Sequence, residues 1–328
     1  MWYAVGVALR NMLYSCGIKK SDSPNIPTVC IGNLRMGGTG KTPHTEYLVR
    51  LFSDRRTALL SRGYGRKSTG FVIAEEESTP AQVGDEPLML KRRFPSLTVA
   101  VCEDRAEGIR RLAQLPEPPE LVLLDDAYQH RKVKSTATIL LTEFSDPFSD
   151  DRILPFGNLR EFRSGNNRAD IVVVTKCPPA ISLRKREKYR RQLHLQSSQQ
   201  LFFSQISYLP PQPLFEGQEW QPVKNVLLVT GIAHPAPLKH HLEKHCTVRH
   251  LDFPDHHSFT SEDCRHIANR FNAIKEESKA IVTTEKDAMR LLGAASNGQL
   301  TGLPIFYIPI SIHFTDEDTF DMAIKKFV

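Results

Sequence analysis

Residues 29–51, VCIGNLRMGGTGKTPHTEYLVRL, decide how the rest of this chain is read. An apolar run ends at Ile31, the chain passes Gly37, Gly38, Thr39 and Gly40, and a helix-like segment starts at Lys41-Thr42. A phosphate-binding P-loop needs this order: a strand, a turn whose backbone N–H groups converge on an anion, then a helix N-terminus. In such a loop Lys41 reaches the β- and γ-phosphates and the Thr42 hydroxyl ligates Mg²⁺. The usual G-x-x-x-x-G-K-[ST] pattern asks for glycine where Arg35 stands. Gly32, Gly37 and Gly38 are therefore expected to supply the missing freedom elsewhere in the turn.

Working outward, short apolar runs alternate with amphipathic pieces. Strands are expected at 28–31, 57–60, 98–102, 121–124, 137–141 and 171–175, and helices at 41–52, 87–94, 105–115 and 182–195. Buried-type strands separated by helices imply a parallel sheet wrapped on both faces. That is the α/β core in which a P-loop of the NTPase type sits. The proline-rich stretch 209–222 reads as a linker, and a second, smaller α/β domain is expected over 223–328. Its pieces are a strand at 225–230, a helix at 236–245, a run at 247–253, a helix at 261–274 and a strand at 280–283. The runs 201–208 and 305–312 are read as a pair forming a hinge ribbon. The basic helix 183–195 has the composition of a solvated face.

The 328 residues are 40% hydrophobic and 24% charged, a soluble-type globular composition. The net charge of +6, from 43 basic and 37 acidic residues, suits an anionic partner such as a phosphorylated substrate or an acidic membrane surface. No nucleic-acid motif is present. Six scattered cysteines without a C-x-x-C pair argue for a reducing compartment and against a zinc site. No apolar run approaches the roughly 18 residues of a membrane span, and no signal-peptidase site is expected at the N-terminus. Residues 1–20 place Trp2, Val5, Leu9, Met12, Leu13 and Cys16 near one helical face, followed by Lys19-Lys20. Such a stripe lies either in a membrane interface or against the body of the protein. As a membrane tether it would be dispensable for a water-soluble acceptor.

Four further stretches carry chemistry. Residues 121–126, LVLLDD, end an apolar strand in Asp125 and Asp126, where a carboxylate holds Mg²⁺ beside a P-loop. Residues 84–87, GDEP, put Asp85 and Glu86 at the start of a helix, where they serve as caps or as chemistry. Ser61–Arg66 frames Arg62 and Arg66 with glycines, a composition able to clamp phosphate oxygens, and Arg160 marks another charged strand exit. Asp255-His256-His257 offers a histidine that can pair with an aspartate as an acid–base dyad.

Taken together, IGNLRMGGTGKTP (31–43), SRGYGR (61–66), GDEP (84–87), DDAYQHR (125–131), LPFGNLRE (154–161), RADIVVVTK (168–176), FPDHHSFT (253–260) and TEKDA (284–288) resemble the tetraacyldisaccharide 4′-kinase family of lipid A biosynthesis. The chain departs from the family pattern at Ala127-Tyr128, where Gly-Phe is common, and at Asn158, where Pro is usual. The resemblance implies a lipid kinase peripheral to the cytoplasmic face of a bacterial inner membrane, with its smaller domain closing over the active site. Its cofactors would be ATP and Mg²⁺, its acceptor the 4′-hydroxyl of tetraacyldisaccharide 1-phosphate, its product lipid IVA, and no obligate protein partner is implied. Carried over, Lys41 stabilises phosphates, Thr42 with Asp125 or Asp126 handles the metal, and Asp85 is the base with His256 as its dyad partner. Glu86, His130, Arg62, Arg66 and Arg160 are then expected near the substrate. A nucleotide-hydrolysing switch, or a scaffold with a degenerate P-loop, would need neither Asp85 nor His256.

Overall fold

The computed structural model describes residues 2–255, 257–294 and 298–328. The chain divides into two compact units, Met1–Ser207 with Ile312–Val328, and Tyr208–Ser311. The larger unit opens with helix α1 (Trp2–Ser15) and then alternates β1 (Thr28–Asn33), α2 (Lys41–Leu51), β2 (Thr57–Ser61), β3 (Val72–Ile73), α3 (Pro80–Val83), α4 (Asp85–Arg93), β4 (Thr98–Val101), α5 (Arg105–Leu112) and β5 (Leu121–Asp125). It continues through β6 (Ala137–Glu143), β7 (Ile171–Thr175), α6 (Leu183–Gln192) and β8 (Gln200–Tyr208). The smaller unit holds β9 (Gln212–Pro213), β10 (Asn225–Thr230), α7 (Ala236–Glu243), β11 (Thr247–Asp252), α8 (Ser261–Asn272), β12 (Lys279–Thr284), α9 (Glu285–Ala294) and β13 (Ile305–Ile308). β14 (Ile310–Phe314) and α10 (Glu317–Lys325) complete the chain.

The large sheet runs β14-β8-β7-β6-β1-β5-β2-β4-β3. All of its pairs from β8 to β4 are parallel, and the short β3 runs antiparallel against β4 at one edge. β1, β2, β5 and β7 are buried along their whole length, as strands covered by helices on both faces must be. Cys30, Leu60, Val122 and Leu124 face Ala106, Ile109 and Leu112 of α5 on one side. Leu140, Val172, Val174 and Phe203 pack with Tyr189 and Leu193 on the other half of the sheet. β1 lies between β5 and β6, so the chain diverges to either side of it and the carboxyl ends of β1 and β5 form a crevice.

The smaller unit has its own five-stranded sheet, β11-β10-β12-β13-β9. Leu227, Val229 and Ile281 pack on Cys264, Ile267, Phe271 and Leu291, while Val226, Leu228 and Val282 turn to Leu238 and Leu242. The alternation along NVLLVT thus feeds two cores.

Three sequence expectations need correction. The stretch 209–222 is no linker: β9 pairs antiparallel with β13, and Leu214 is buried in the smaller unit's core. Residues 312–328 belong to the larger unit, because Phe314 and Phe320 stack at 3.7 Å and edge onto Tyr47 of α2. The run 305–312 is split, since β13 sits in the small sheet while β14 neighbours β8 in the large one. The stripe on α1 is observed as expected, with Trp2, Val5, Leu9 and Met12 exposed, and only Leu13 turning partly inward. Only Tyr189 of the basic helix α6 is buried. No helix among the described residues is long and apolar enough to cross a membrane.

Candidate active site

The loop between β1 and α2 explains its own departure from the usual glycine pattern. Residues 34–36 run extended beside 158–160: Met36 N donates to Asn158 O at 2.8 Å, Arg160 N to Leu34 O at 2.7 Å, and Arg35 bridges Leu159. An extended residue needs no glycine. The Arg35 side chain pairs instead with Asp151 at 3.0 Å and with Asp146. Left-handed backbone occurs at Gly37 and Gly40, with φ of 109° and 87°. Gly32 serves close approach, not the turn, because a Cβ there would lie 2.6 Å from the Tyr128 Cβ.

Three side chains hold the loop. Asn33 Nδ2 donates to Thr39 Oγ1 at 2.8 Å, and Thr175 Oγ1, at the end of β7, donates to Thr39 O at 2.9 Å. His44 Nδ1 lies 2.6 Å from Gly40 O and its Nε2 2.9 Å from Ser204 Oγ on β8. A carbonyl only accepts, so Nδ1 carries the proton and Nε2 accepts from the serine. Burial holds this ring neutral, pulling its pKa down to about 4. The carbonyls of Thr39 and Gly40 are thereby pinned, which leaves the loop's N–H groups and the head of α2 to face an anion.

At the end of β5 the two aspartates diverge. Asp125 is buried under α2 and accepts from Thr45 Oγ1 at 3.3 Å. Burial, then the neighbouring Glu86 and Asp126 charges, raise its pKa to about 7 against the pull of Lys41 and Arg105. Asp126, just past the strand, adopts a left-handed backbone, φ 45°. There it meets Lys41 Nζ at 3.7 Å and Arg160 Nη1 at 3.0 Å to each oxygen. Arg160 therefore sits at the site. A cation held by Thr42 and Asp125 fits this donor set: hard oxygens, and carboxylates whose mutual repulsion a positive charge relieves. Mg²⁺ is characteristically held by one or two carboxylates plus phosphates, not by an all-protein cage. Among the described residues no trio of His, Cys, Asp or Glu is arranged to hold a metal by itself.

Asp85 and Glu86 occupy the first turn of α4 after Gly84, with Asp85 exposed. A helix returning between parallel strands points its N-terminus to their carboxyl ends, so this turn opens on the same crevice. Arg93 of α4 pairs with Glu46 of α2 at 3.2 Å, fixing the two helices side by side. Arg62 is exposed in the loop after β2. The Arg66 side chain turns to Glu103 and to Gly70 O, at 2.6 and 2.7 Å, beside Gly63 and Gly65, which adopt left-handed backbone. His130 is held at the start of α5. Its Nε2 accepts from Arg105 N at 3.1 Å at the head of α5, and burial next to the Arg105 charge lowers its pKa to about 4.

His256 lies outside the described residues. Its neighbour His257 is engaged within the smaller unit, 3.0 Å from Asp263 and stacked on Phe253. Asp287 of the TEKDA segment is fully buried and accepts from Gly231 N at 3.0 Å, a structural role.

The sequence did not single out His44, Thr45, Arg105, Gln129 or Glu161 for these roles. His44 carried a faint signal, four residues after Gly40 on one helical face. Glu161 carried none, since its partners Asn11, Gln129 and Arg168 come from three separate segments.

The tetraacyldisaccharide-1-P 4′-kinase family model matches residues 1–328. A tetraacyldisaccharide 4′-kinase of Parabacteroides distasonis is 43% identical over 95% of this chain and 88% of its own length. One from Flavobacterium johnsoniae is 44% identical over 99% and 94%. The LpxK of Aquifex aeolicus, solved in complex with ATP, superposes with a TM-score of 0.76 at 28% identity, covering 99% of this chain and 96% of that one. With a P-loop, paired aspartates and this architecture in place, the chain belongs to the tetraacyldisaccharide 4′-kinase family.

Proposed function

We propose that the protein transfers the γ-phosphoryl group of ATP to the 4′-hydroxyl of tetraacyldisaccharide 1-phosphate, giving lipid IVA. The observation that carries this reading is the cluster at the head of α2, where Lys41, Asp126 and Arg160 meet beside the buried Asp125. Phosphoryl transfer needs little covalent help from a protein; it needs positioning and charge neutralisation. Lys41 and the N–H groups of the loop would bind the phosphates, and Thr42 with Asp125 would hold Mg²⁺. Bound Mg²⁺ supplies further neutralisation of the β- and γ-oxygens. Asp126 holds Lys41 and Arg160 together ahead of substrate. Asp85, at the exposed first turn of α4, is the group we assign to accept the sugar hydroxyl's proton, with His256 as its partner; Glu86 and Arg62 lie on the substrate side.

The acceptor is a lipid, and α1 presents Trp2, Val5, Leu9 and Met12 to solvent, 51–87% exposed, with Lys19 and Lys20 following. An apolar stripe with a basic end suits an anionic bilayer, so the protein is assigned to the cytoplasmic face of the inner membrane as a peripheral protein.

Incubation with labelled ATP, Mg²⁺ and the tetraacyl disaccharide 1-phosphate in detergent tests this reading. Label should move to the lipid in wild type. Asp85→Asn should cut the transfer rate by roughly 10²–10⁴-fold, the usual worth of a general base, with nucleotide affinity unchanged. Acceptor-independent hydrolysis with no labelled lipid would favour a nucleotide switch instead.

A further inference from the structure

Helix α1 buries none of its residues, although it is only 14 residues long. A helix of that length is marginal in water by itself. Polar bonds tie it to the body. Tyr3 Oη donates to Arg160 O at 2.9 Å, Arg10 Nη2 to Gln129 O at 2.6 Å, and Asn11 Nδ2 to Glu161 Oε2 at 3.0 Å. In return Arg131 Nη1 donates to Asn11 O at 2.7 Å and to Ser15 Oγ at 3.3 Å.

These bonds land on two loops only, 129–131 and 160–161. The same loops line the transfer site. Glu161 is 2% exposed and also accepts from Gln129 Nε2 at 3.1 Å and from Arg168 at 2.7 Å. Gln129 Nε2 in turn donates to Asn33 O, the last residue of β1, at 2.8 Å. A continuous path thus runs Asn11–Glu161–Gln129–Asn33 to the entry of the P-loop. A second runs Tyr3–Arg160–Asp126–Lys41.

We infer that α1 is part of the transfer site, with Asn11 and Arg10 as positioning residues that fix the loops carrying Gln129, Arg160 and Glu161. Each bond of this kind replaces one to water and contributes little net, so the docked position is weakly held by the body alone. Covering the exposed apolar face adds to that hold. On the membrane reading of the previous section, a bilayer that seats α1 also completes the site, and the rate depends on the surface as well as on the substrate. A tether that only concentrates the enzyme at a lipid would leave the rate on a soluble acceptor unchanged.

The full-length protein is assayed on a short-chain, water-soluble acceptor and on the long-chain acceptor in vesicles of anionic phospholipid. Asn11→Ala should lower kcat roughly tenfold to a hundredfold on both acceptors, the scale of an error of about 1 Å in positioning. KM for MgATP and co-sedimentation with vesicles should stay within about twofold, since neither the P-loop nor the apolar face is touched. Asn11→Gln, which keeps an amide donor, should recover most of kcat. Arg10→Met, which loses the bond to the Gln129 carbonyl and the guanidinium's contact with the Tyr14 ring, is the second variant and should lose kcat in the same way. An unchanged kcat in both Asn11→Ala and Arg10→Met overturns the inference. So does a loss confined to vesicle binding and to the long-chain KM. Equal losses in Asn11→Ala and Asn11→Gln would mean packing, not the donor, and also overturn it. A wild-type protein that transfers no phosphate would instead remove the kinase reading.

Discussion

Helices α1 and α2 carry the two ends of the proposed reaction, the lipid surface and the nucleotide, and they are held in opposite ways. α2 buries six residues, Thr42, His44, Thr45, Glu46, Leu48 and Val49. α1 buries none and depends on hydrogen bonds from Tyr3, Arg10 and Asn11. Burial of apolar area is worth about 25 cal/mol per Å² whatever the surroundings, so α2 is in place before any ligand arrives. Hydrogen bonds at the rim of the body compete with water, so α1 responds to what covers it. The nucleotide end is built rigid and the lipid end is built conditional.

The largest effect is expected where the rigid end meets chemistry. Lys41→Ala removes the charge facing Asp126 and the phosphates, and should lower the transfer rate by roughly 10²–10⁴-fold with the unfolding transition intact. Near-normal turnover in a folded Lys41→Ala protein would break the assignment of this loop.

His44→Ala tests whether α2 is as rigid as it looks. It leaves the Ser204 hydroxyl without the imidazole and opens a void, so destabilisation of about 1–3 kcal/mol is expected. Nucleotide affinity should weaken with it, because Gly40 O loses its 2.6 Å partner. Urea unfolding and calorimetric titration read the two effects; a stable variant with normal affinity would show the imidazole to be idle.

A pH series separates the buried groups of the same end. His44 and His130, both lowered to about 4, favour the neutral ring, so their contribution to stability is present above pH 6.5 and lost as pH falls toward 4. Asp125, raised to about 7, works the other way: the stability it contributes is present below pH 3.8 and lost as pH rises toward 7. Asp125→Asn removes the second effect alone. Its stability should exceed wild type by a margin that grows from pH 4 to 7 and then levels off, while transfer is lost. A margin equal at pH 4 and pH 8 would mean that Asp125 does not titrate in this range.

The smallest effect on stability belongs to the conditional end. Trp2→Ser with Leu9→Ser changes exposed positions, so unfolding of the body should move by less than about 0.5 kcal/mol. Sedimentation with anionic vesicles should fall sharply. If vesicle binding survives, the apolar face of α1 is not the membrane surface.

Local order in the chain determined a good deal of this protein. GGTGKT after an apolar run, LVLLDD at a strand end and the strand–helix alternation depend on neighbours in sequence, and all appear where expected: Ile171–Thr175 and Asn225–Thr230 match to the residue. The apolar stripe of α1 belongs here too, because helical period alone sets it. Tertiary structure decided the rest. Whether Arg66 faced substrate or Glu103, and whether His130 met a ligand or the Arg105 amide, turned on partners 25 to 37 positions away. Where the chain returns to the larger unit was equally hidden, since Phe314 and Phe320 show their role only against Tyr47, more than 260 residues earlier. The same holds for Glu161. A carboxylate next to an arginine reads as a solvated pair until folding brings Asn11, Gln129 and Arg168 to it, because period and propensity describe a segment's own backbone and not the groups it will meet.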